Sequence, residues 1–141
     1  MYDLIIIGAG PAGLSAAVYG RRAGLDLVVI EQTPMSGGQV LNTYEVDNYL
    51  GMAGISGFDL GTKFREHADK MDARFVKETV TAIRDQGQTK VVETASGASY
   101  EARALILATG AEHTLLQVPG EQEWKGRGVS YCAACDGAFF K

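Results

Sequence analysis

Residues 2–7 open on Tyr2-Asp3 and continue as the aliphatic run Leu4-Ile5-Ile6-Ile7 with no polar alternation, closed by Gly8. That pattern predicts a strand buried on both faces, as in a parallel sheet. Leu14, Ala17 and Val18 then recur at helical spacing. Pro11 suits the first helical turn, where its missing N–H has no partner to lose, and Gly24 suits the helix end. A second aliphatic run, residues 27–30, ends at Glu31. Strand, helix and strand in this order predict a right-handed β-α-β unit with parallel strands.

From Gln32 to Ile55 the periodicity gives way to Pro34, Gly37, Gly38, Asn42, Asn48, Gly51 and Gly54, a loop long enough to need a functional reason. The next helix is predicted from Ser56, with Asp59 at the capping-box position and Leu60, Phe64, Ala68 and Met71 on the face that covers the sheet. Short β-type runs at 74–81, 89–94 and 98–101, separated by Asp85-Gln86-Gly87-Gln88 and by Ser96-Gly97, predict a small antiparallel excursion. Residues 104–108 read as a further buried strand stopping at Thr109-Gly110, and the polar stretch 111–128, with Pro119-Gly120, as a linker out of the domain. The fold class is α/β and Rossmann-like, with residues 1–114 as the nucleotide-binding part and 115–141 as linker and the start of a further domain.

Composition narrows the classes. A chain of 141 residues can build one core but not two complete nucleotide domains. Its 46% apolar and 21% charged residues argue against disorder. A net charge of −4, with no basic run longer than Arg21-Arg22, argues against a nucleic-acid partner. Asp3 stands where a signal peptide would be basic, and glycines and a proline soon interrupt the first apolar run, so neither a targeting segment nor a membrane span is expected. Two cysteines so close together make no disulfide framework, which fits a reducing, cytoplasmic setting and a chemical use for the pair.

The candidate chemistry lies in two motifs. In Gly8-Ala9-Gly10-Pro11-Ala12-Gly13 the first glycine permits a tight turn, the second lets backbone approach a pyrophosphate and the third allows close helix–sheet packing. Glu31, at the end of the second strand, can accept hydrogen bonds from ribose hydroxyls. A plain Gly-rich turn and a solvated strand end would be the bland alternative, but strand, motif, helix, strand and acid all occur in order. Gly126-Arg127-Gly128 is no second fingerprint, since Tyr131 takes the place of the last glycine and no buried strand precedes it. The other motif, Cys132-Ala133-Ala134-Cys135, brings two sulfurs within disulfide reach, where a lowered thiol pKa favours exchange at neutral pH. Half of a zinc site is the alternative, but there is no second pair, and His67 and His113 lie far from the cysteines in sequence. Asp136 is a proton donor to a leaving thiolate or a surface carboxylate, and its position alone leaves both open.

Taken together, Gly8-Ala9-Gly10-Pro11-Ala12-Gly13, Gly37-Gly38-Gln39, Asn48-Tyr49, Ala108-Thr109-Gly110-Ala111, Val118-Pro119-Gly120, Gly126-Arg127-Gly128-Val129-Ser130-Tyr131 and Cys132-Ala133-Ala134-Cys135-Asp136-Gly137 resemble the low-molecular-weight thioredoxin reductases. The resemblance implies a flavoenzyme in which NADPH reduces FAD, FAD reduces the internal disulfide, and the dithiol reduces thioredoxin. It implies Cys132 as the interchange thiol, Cys135 as the sulfur nearest the flavin and Asp136 as the acid. Gly8, Gly10, Pro11, Ala12, Gly13, Glu31, Gln32, Gly38, Gln39, Asn48, Val80, Ala108, Thr109 and Gly110 would line the FAD site, and the loop 32–55 would wrap the cofactor. Homodimerisation is likewise implied. Ala134 replaces the usual threonine between the cysteines and Leu50 a usual proline, and neither change removes a reacting group. The chain reads as the N-terminal portion, without the nicotinamide fingerprint. The alternatives are a related flavin dithiol oxidase, the flavoprotein component of a peroxide reductase, or a non-catalytic FAD-binding redox module.

Overall fold

The computed structural model describes residues 1–133 and 137. The chain divides into two units, Met1–Gly110 and Ala111–Lys141. In the first, the elements run β1 (Tyr2–Ile7), α1 (Pro11–Arg22), β2 (Leu27–Glu31), a 3-10 turn (Gly38–Asn42), α2 (Gly57–Lys70), β3 (Arg74–Lys77), β4 (Val80–Asp85), β5 (Lys90–Thr94) and β6 (Ser99–Leu107). The six strands form one sheet in the order β3-β2-β1-β6-β5-β4. The first four of these are parallel, with Leu4 opposite both Leu27 and Ala104 and with Val28 opposite Arg74. β5 and β4 continue antiparallel from β6.

The aliphatic runs of β1 and β2 lack alternation because both faces of the sheet are covered. Successive strand side chains point to opposite faces. Leu4, Ile6, Leu27 and Val29 pack with Leu14, Ala17 and Val18 of α1 and Ala68 of α2. The interleaved Ile5, Ile7, Val28 and Ile30 pack with Val92 of β5 and Ala102 of β6. Ile5, Ile6, Val28 and Val29 are completely buried, so a polar residue would be costly at these positions, and Asp3 and Glu31 stand at the partly buried strand ends.

Helix boundaries follow the local chemistry. Pro11 occupies the first turn of α1, and the chain leaves that helix through Gly24 at φ +77°, whose N–H bonds Arg21 O at 2.9 Å. At α2, Ser56 Oγ accepts the Asp59 N–H at 3.0 Å and donates to Asp59 Oδ2 at 2.7 Å. Leu60 is buried, and Phe64 and Met71 flank the core around Ala68.

Three sequence expectations change. The run 74–81 is two strands: β3 pairs parallel with β2 at the edge of the main sheet, and only β4 belongs to the antiparallel excursion. The chain breaks between them because Glu78 N bonds Glu31 O at 3.0 Å while Ala95 N bonds Thr79 O at 2.8 Å, committing adjacent residues to different strands. The runs 98–101 and 104–108 instead join into the single nine-residue β6. Its first part pairs with β5 on one side and its remainder with β1 alone, and Ile106 and Leu107 are exposed rather than buried because no described side-chain layer covers them there. The loop 32–55 is also less irregular than its composition suggests, holding the 3-10 turn and a bridge between Val46 and Ile55.

Candidate nucleotide and dithiol sites

The first site is built where β1, β2 and β6 end. Gly8 leaves β1 at φ +102°, a conformation that side chains rarely adopt, and its N–H bonds Ile30 O at 2.8 Å. A Cβ on Gly8 would overlap the carbonyl oxygen of Ala108, whose own N–H bonds Ile7 O at 2.8 Å. A Cβ on Gly13 would overlap the carbonyl oxygen of Gly8. These two glycines therefore let α1 start flush against the strand ends. Gly10 serves otherwise: its nearest neighbour would be Gly38 Cα, 3.9 Å from an added Cβ. The gap beside Gly10 is where a ligand's backbone-sized group can approach.

The helix end beside that gap is prepared for an anion. Gly10, the residue capping α1, has no side chain to bond the first-turn N–H groups, and that turn carries no acidic residue. The first amides of a helix lack intrahelical acceptors and sit at the positive end of its dipole. Such an end is suited to a phosphate group. Pro11 and Ala12 are exposed there and Gly13 is buried.

Glu31 is held rather than free. Its Oε2 accepts the Ala9 N–H at 2.7 Å, and its Oε1 accepts the Thr33 N–H and the Thr33 hydroxyl, each at 2.9 Å. A carboxylate has about four acceptor sites. The acid thus braces the glycine turn and keeps capacity for a further donor. The loop after β2 closes on the same turn: Gly37, at φ +130°, bonds Ala9 O at 2.8 Å, and a Cβ on Gly38 would stand 3.1 Å from Gly10 Cα. Arg65 of α2 secures this loop from the other side, donating to Ser36 Oγ at 2.9 Å and to Asp69 at 2.8 Å while its guanidinium lies 3.6 Å from the Phe75 ring centre.

Of the predicted residues, the structure gathers Gly8, Gly10, Gly13, Glu31, Gly38 and Ala108 by these contacts. Gln32 and Gln39 are exposed on the adjoining loop, and Thr109 and Gly110 are exposed just past β6, with Gly110 at φ +73°. Asn48 is exposed in the loop closed by the Val46–Ile55 bridge, and Val80 packs into the layer beneath the antiparallel strands. Sequence reasoning missed Ala9, Thr33 and Arg65. Ala9 acts through its backbone, which leaves no side-chain signal, whereas Arg65 lies at helical spacing from Asp69 and was readable as an ion pair.

The second unit carries the cysteine motif. The expected linker is organised around Glu121, which is 4% exposed: its carboxylate accepts the Leu116 N–H at 2.9 Å, the Gln117 N–H at 2.7 Å and the Tyr131 hydroxyl at 2.7 Å. The Tyr131 bond, then the amides, hold the Glu121 carboxyl below its ordinary range, and the same bond holds the Tyr131 phenol above its own. Gly126-Arg127-Gly128 forms a tight turn with Gly126 N bonded to Val129 O at 2.9 Å, which is not the strand-to-helix setting of a nucleotide fingerprint. Cys132 is disulfide-bonded, and its N–H bonds Ser130 Oγ at 3.1 Å. Cys135 and Asp136 lie outside the described residues. Among the described residues no cluster of His, Cys, Asp and Glu is placed to hold a metal, and no helix is long and apolar enough to cross a membrane.

The chain is 51% identical over its whole length to the thioredoxin reductase of Bacillus subtilis, of which it spans 44%. The crystal structure of a thioredoxin reductase from Streptococcus pyogenes superposes with a TM-score of 0.84 at 47% identity, over 99% of this chain and 45% of that one. The enzyme from Lactococcus lactis gives the same TM-score at 42% identity and the same coverage. This chain thus spans less than half the length of the relatives it matches, and the likeness extends through both units. Residues 2–141 match the pyridine nucleotide-disulphide oxidoreductases, and to that family the chain belongs.

Proposed function

We propose that this chain supplies the FAD-binding and dithiol portion of a thioredoxin-disulfide reductase that, when complete, takes its electrons from NADPH. The observation that carries the reading is the junction of the glycine turn, Glu31, Gly37-Gly38 and Ala108 at the C-terminal ends of the inner parallel strands, beside a helix end with no side-chain cap. The first-turn amides of α1, with Gly8, Gly10, Pro11, Ala12 and Gly13, would face the pyrophosphate, and Glu31 would add a ribose hydroxyl to the donors it already holds. Gln32, Gly38, Gln39, Asn48, Val80, Ala108, Thr109 and Gly110 would complete the cofactor's surroundings. Bound FAD would supply the two electrons that reopen the internal disulfide, drawn from NADPH.

The chemistry left to the chain is thiol–disulfide exchange. The Cys132 thiolate attacks a sulfur of the thioredoxin disulfide and breaks that bond. Cys135 then attacks Cys132 in the mixed disulfide, closes the internal disulfide and releases thioredoxin as a dithiol. Two electrons and two protons pass from the pair to the product. Asp136 would protonate the thiolate that leaves when the internal disulfide is reduced. A soluble cytoplasmic homodimer is the form that this reading implies.

The deciding experiment is NADPH-dependent reduction of thioredoxin by the full-length protein and its Cys135→Ser variant. Loss of turnover with FAD still bound is expected. Normal turnover in the variant would refute the dithiol mechanism.

A further inference from the structure

Tyr131 is the residue bonded directly to the first cysteine of the pair, and it is held from three directions. Its hydroxyl donates to Glu121 Oε1 at 2.7 Å, the His113 ring stacks on it at 5.2 Å with 12° between planes, and the Lys125 ammonium stands 5.7 Å from its ring centre. Glu121 is itself fixed, because the Leu116 and Gln117 amides occupy both of its oxygens. We propose that Glu121 and Tyr131 form a clamp that positions Cys132, setting the chain conformation from which the internal disulfide closes. This rests on reading Cys132 and Cys135 as the redox pair.

The physical argument is one of preorganisation. A disulfide needs its two Cα atoms and Cβ vectors within a narrow geometry. A residue free to rotate next to one cysteine spreads that cysteine over conformations that cannot close. A buried carboxylate with three donors cannot shift without leaving donors unpaired, so the phenol it holds is a fixed point one residue from Cys132. The lowered Glu121 and raised Tyr131 proton affinities agree with a hydrogen bond that favours the carboxylate paired with the neutral phenol. Carboxylate chemistry is also specific here. An amide has one acceptor oxygen, so Glu121→Gln would set its NH2 group against the Gln117 N–H or against the Leu116 N–H, donor against donor.

The clamp is a positioning device, and its test is the equilibrium constant of the Cys132/Cys135 couple against dithiothreitol in the full-length protein. The variants are Tyr131→Phe, Glu121→Gln and the double variant, with far-UV circular dichroism as a check that the fold is unchanged. Tyr131→Phe keeps the ring and its stacking partner, so it removes the hydroxyl contact alone. Each single variant is expected to make the disulfide about fivefold easier to reduce, equal to about 20 mV for a two-electron couple. The double variant is expected to go no further than the larger single, because both act through the one contact between residues 121 and 131. Unshifted constants in both variants would overturn the clamp and leave the redox-pair reading intact. Additive shifts would show two independent local effects and also overturn it. A wild-type pair that does not titrate as a reversible couple would remove the redox reading and the clamp with it.

Discussion

Gly13→Ala sets two well-understood effects against each other. Gly13 lies inside α1, where alanine is favoured over glycine by about 1 kcal/mol, so helix propensity alone predicts stabilisation. The structure predicts the reverse, because the added Cβ would overlap the carbonyl oxygen of Gly8. That atom is backbone, pinned by the neighbouring Gly8 N–H bond to Ile30 O at 2.8 Å and by the strand ladder behind it, and it cannot rotate aside as a side chain would. Overpacking typically costs about 1–3 kcal/mol, and a rigid neighbour places this case near the top of that range. After the propensity gain, the net loss is about 2 kcal/mol. For a chain of this size each kcal/mol moves the melting temperature by roughly 3–4 °C, so a fall of about 6–8 °C is expected by far-UV circular dichroism. A Gly13→Ala protein as stable as the parent, or more so, would refute the close approach of α1 to the end of β1.

Three further outcomes test other parts of the reasoning. Gly10→Ala adds a methyl group that would meet only Gly38 Cα, at 3.9 Å and without a clash, so stability should stay within about 1 kcal/mol of the parent while retention of the flavin band after added FAD is washed out is lost; retained flavin would move the phosphate site away from α1. Ser56→Ala should cost about 1 kcal/mol in urea denaturation, with Ser56→Asp restoring most of it, and an unchanged midpoint in the alanine variant would mean that the cap bonds contribute nothing. Glu121 is held below its ordinary 4.5, chiefly by the Tyr131 hydroxyl, so its stabilisation is complete above that pH and drains as pH falls through the lowered value; Tyr131, raised above 10 by the same bond, keeps its share below pH 10 and loses it at higher pH. Fluorescence of Trp124, whose backbone N–H bonds Gly120 O one residue before Glu121, should therefore be flat between about pH 5 and 9 and change in acid, and Glu121→Gln should abolish the acid limb. A local reporter is needed because Asp85 and Glu93, lowered by Lys90 and Arg84, also lose favourable contacts in acid.

Much of the first unit was legible in the sequence because its signals are local. A strand buried on both faces must be aliphatic at every position, a proline is tolerated in the first helical turn, and a serine three residues before an aspartate can cap a helix. These rules located β1, α1, β2 and α2, and the glycine spacing located the turn between β1 and α1. Where the pairing partner decides an element, the chain was ambiguous. Residues 74–81 have β character throughout, yet Glu31 O and Ala95 N capture neighbouring residues for different strands. Residues 98–107 contain two β-type runs that are one strand, because a strand can change partners along its length without any mark in its composition.

The candidate sites divide in the same way. The amino-acid sequence alone determined which residues have the chemistry: glycines that can approach phosphate, an acid after β2, two sulfurs within reach. Only the tertiary structure decided that Glu31 braces Ala9 and Thr33, that Gly38 faces Gly10, that Arg65 secures the loop between them, and that the polar stretch before the cysteines folds around a buried carboxylate. Those contacts involve backbone amides and residues distant in sequence, and a backbone N–H is the same group in nearly every residue. Its role is set by where the fold places it, which no local pattern records.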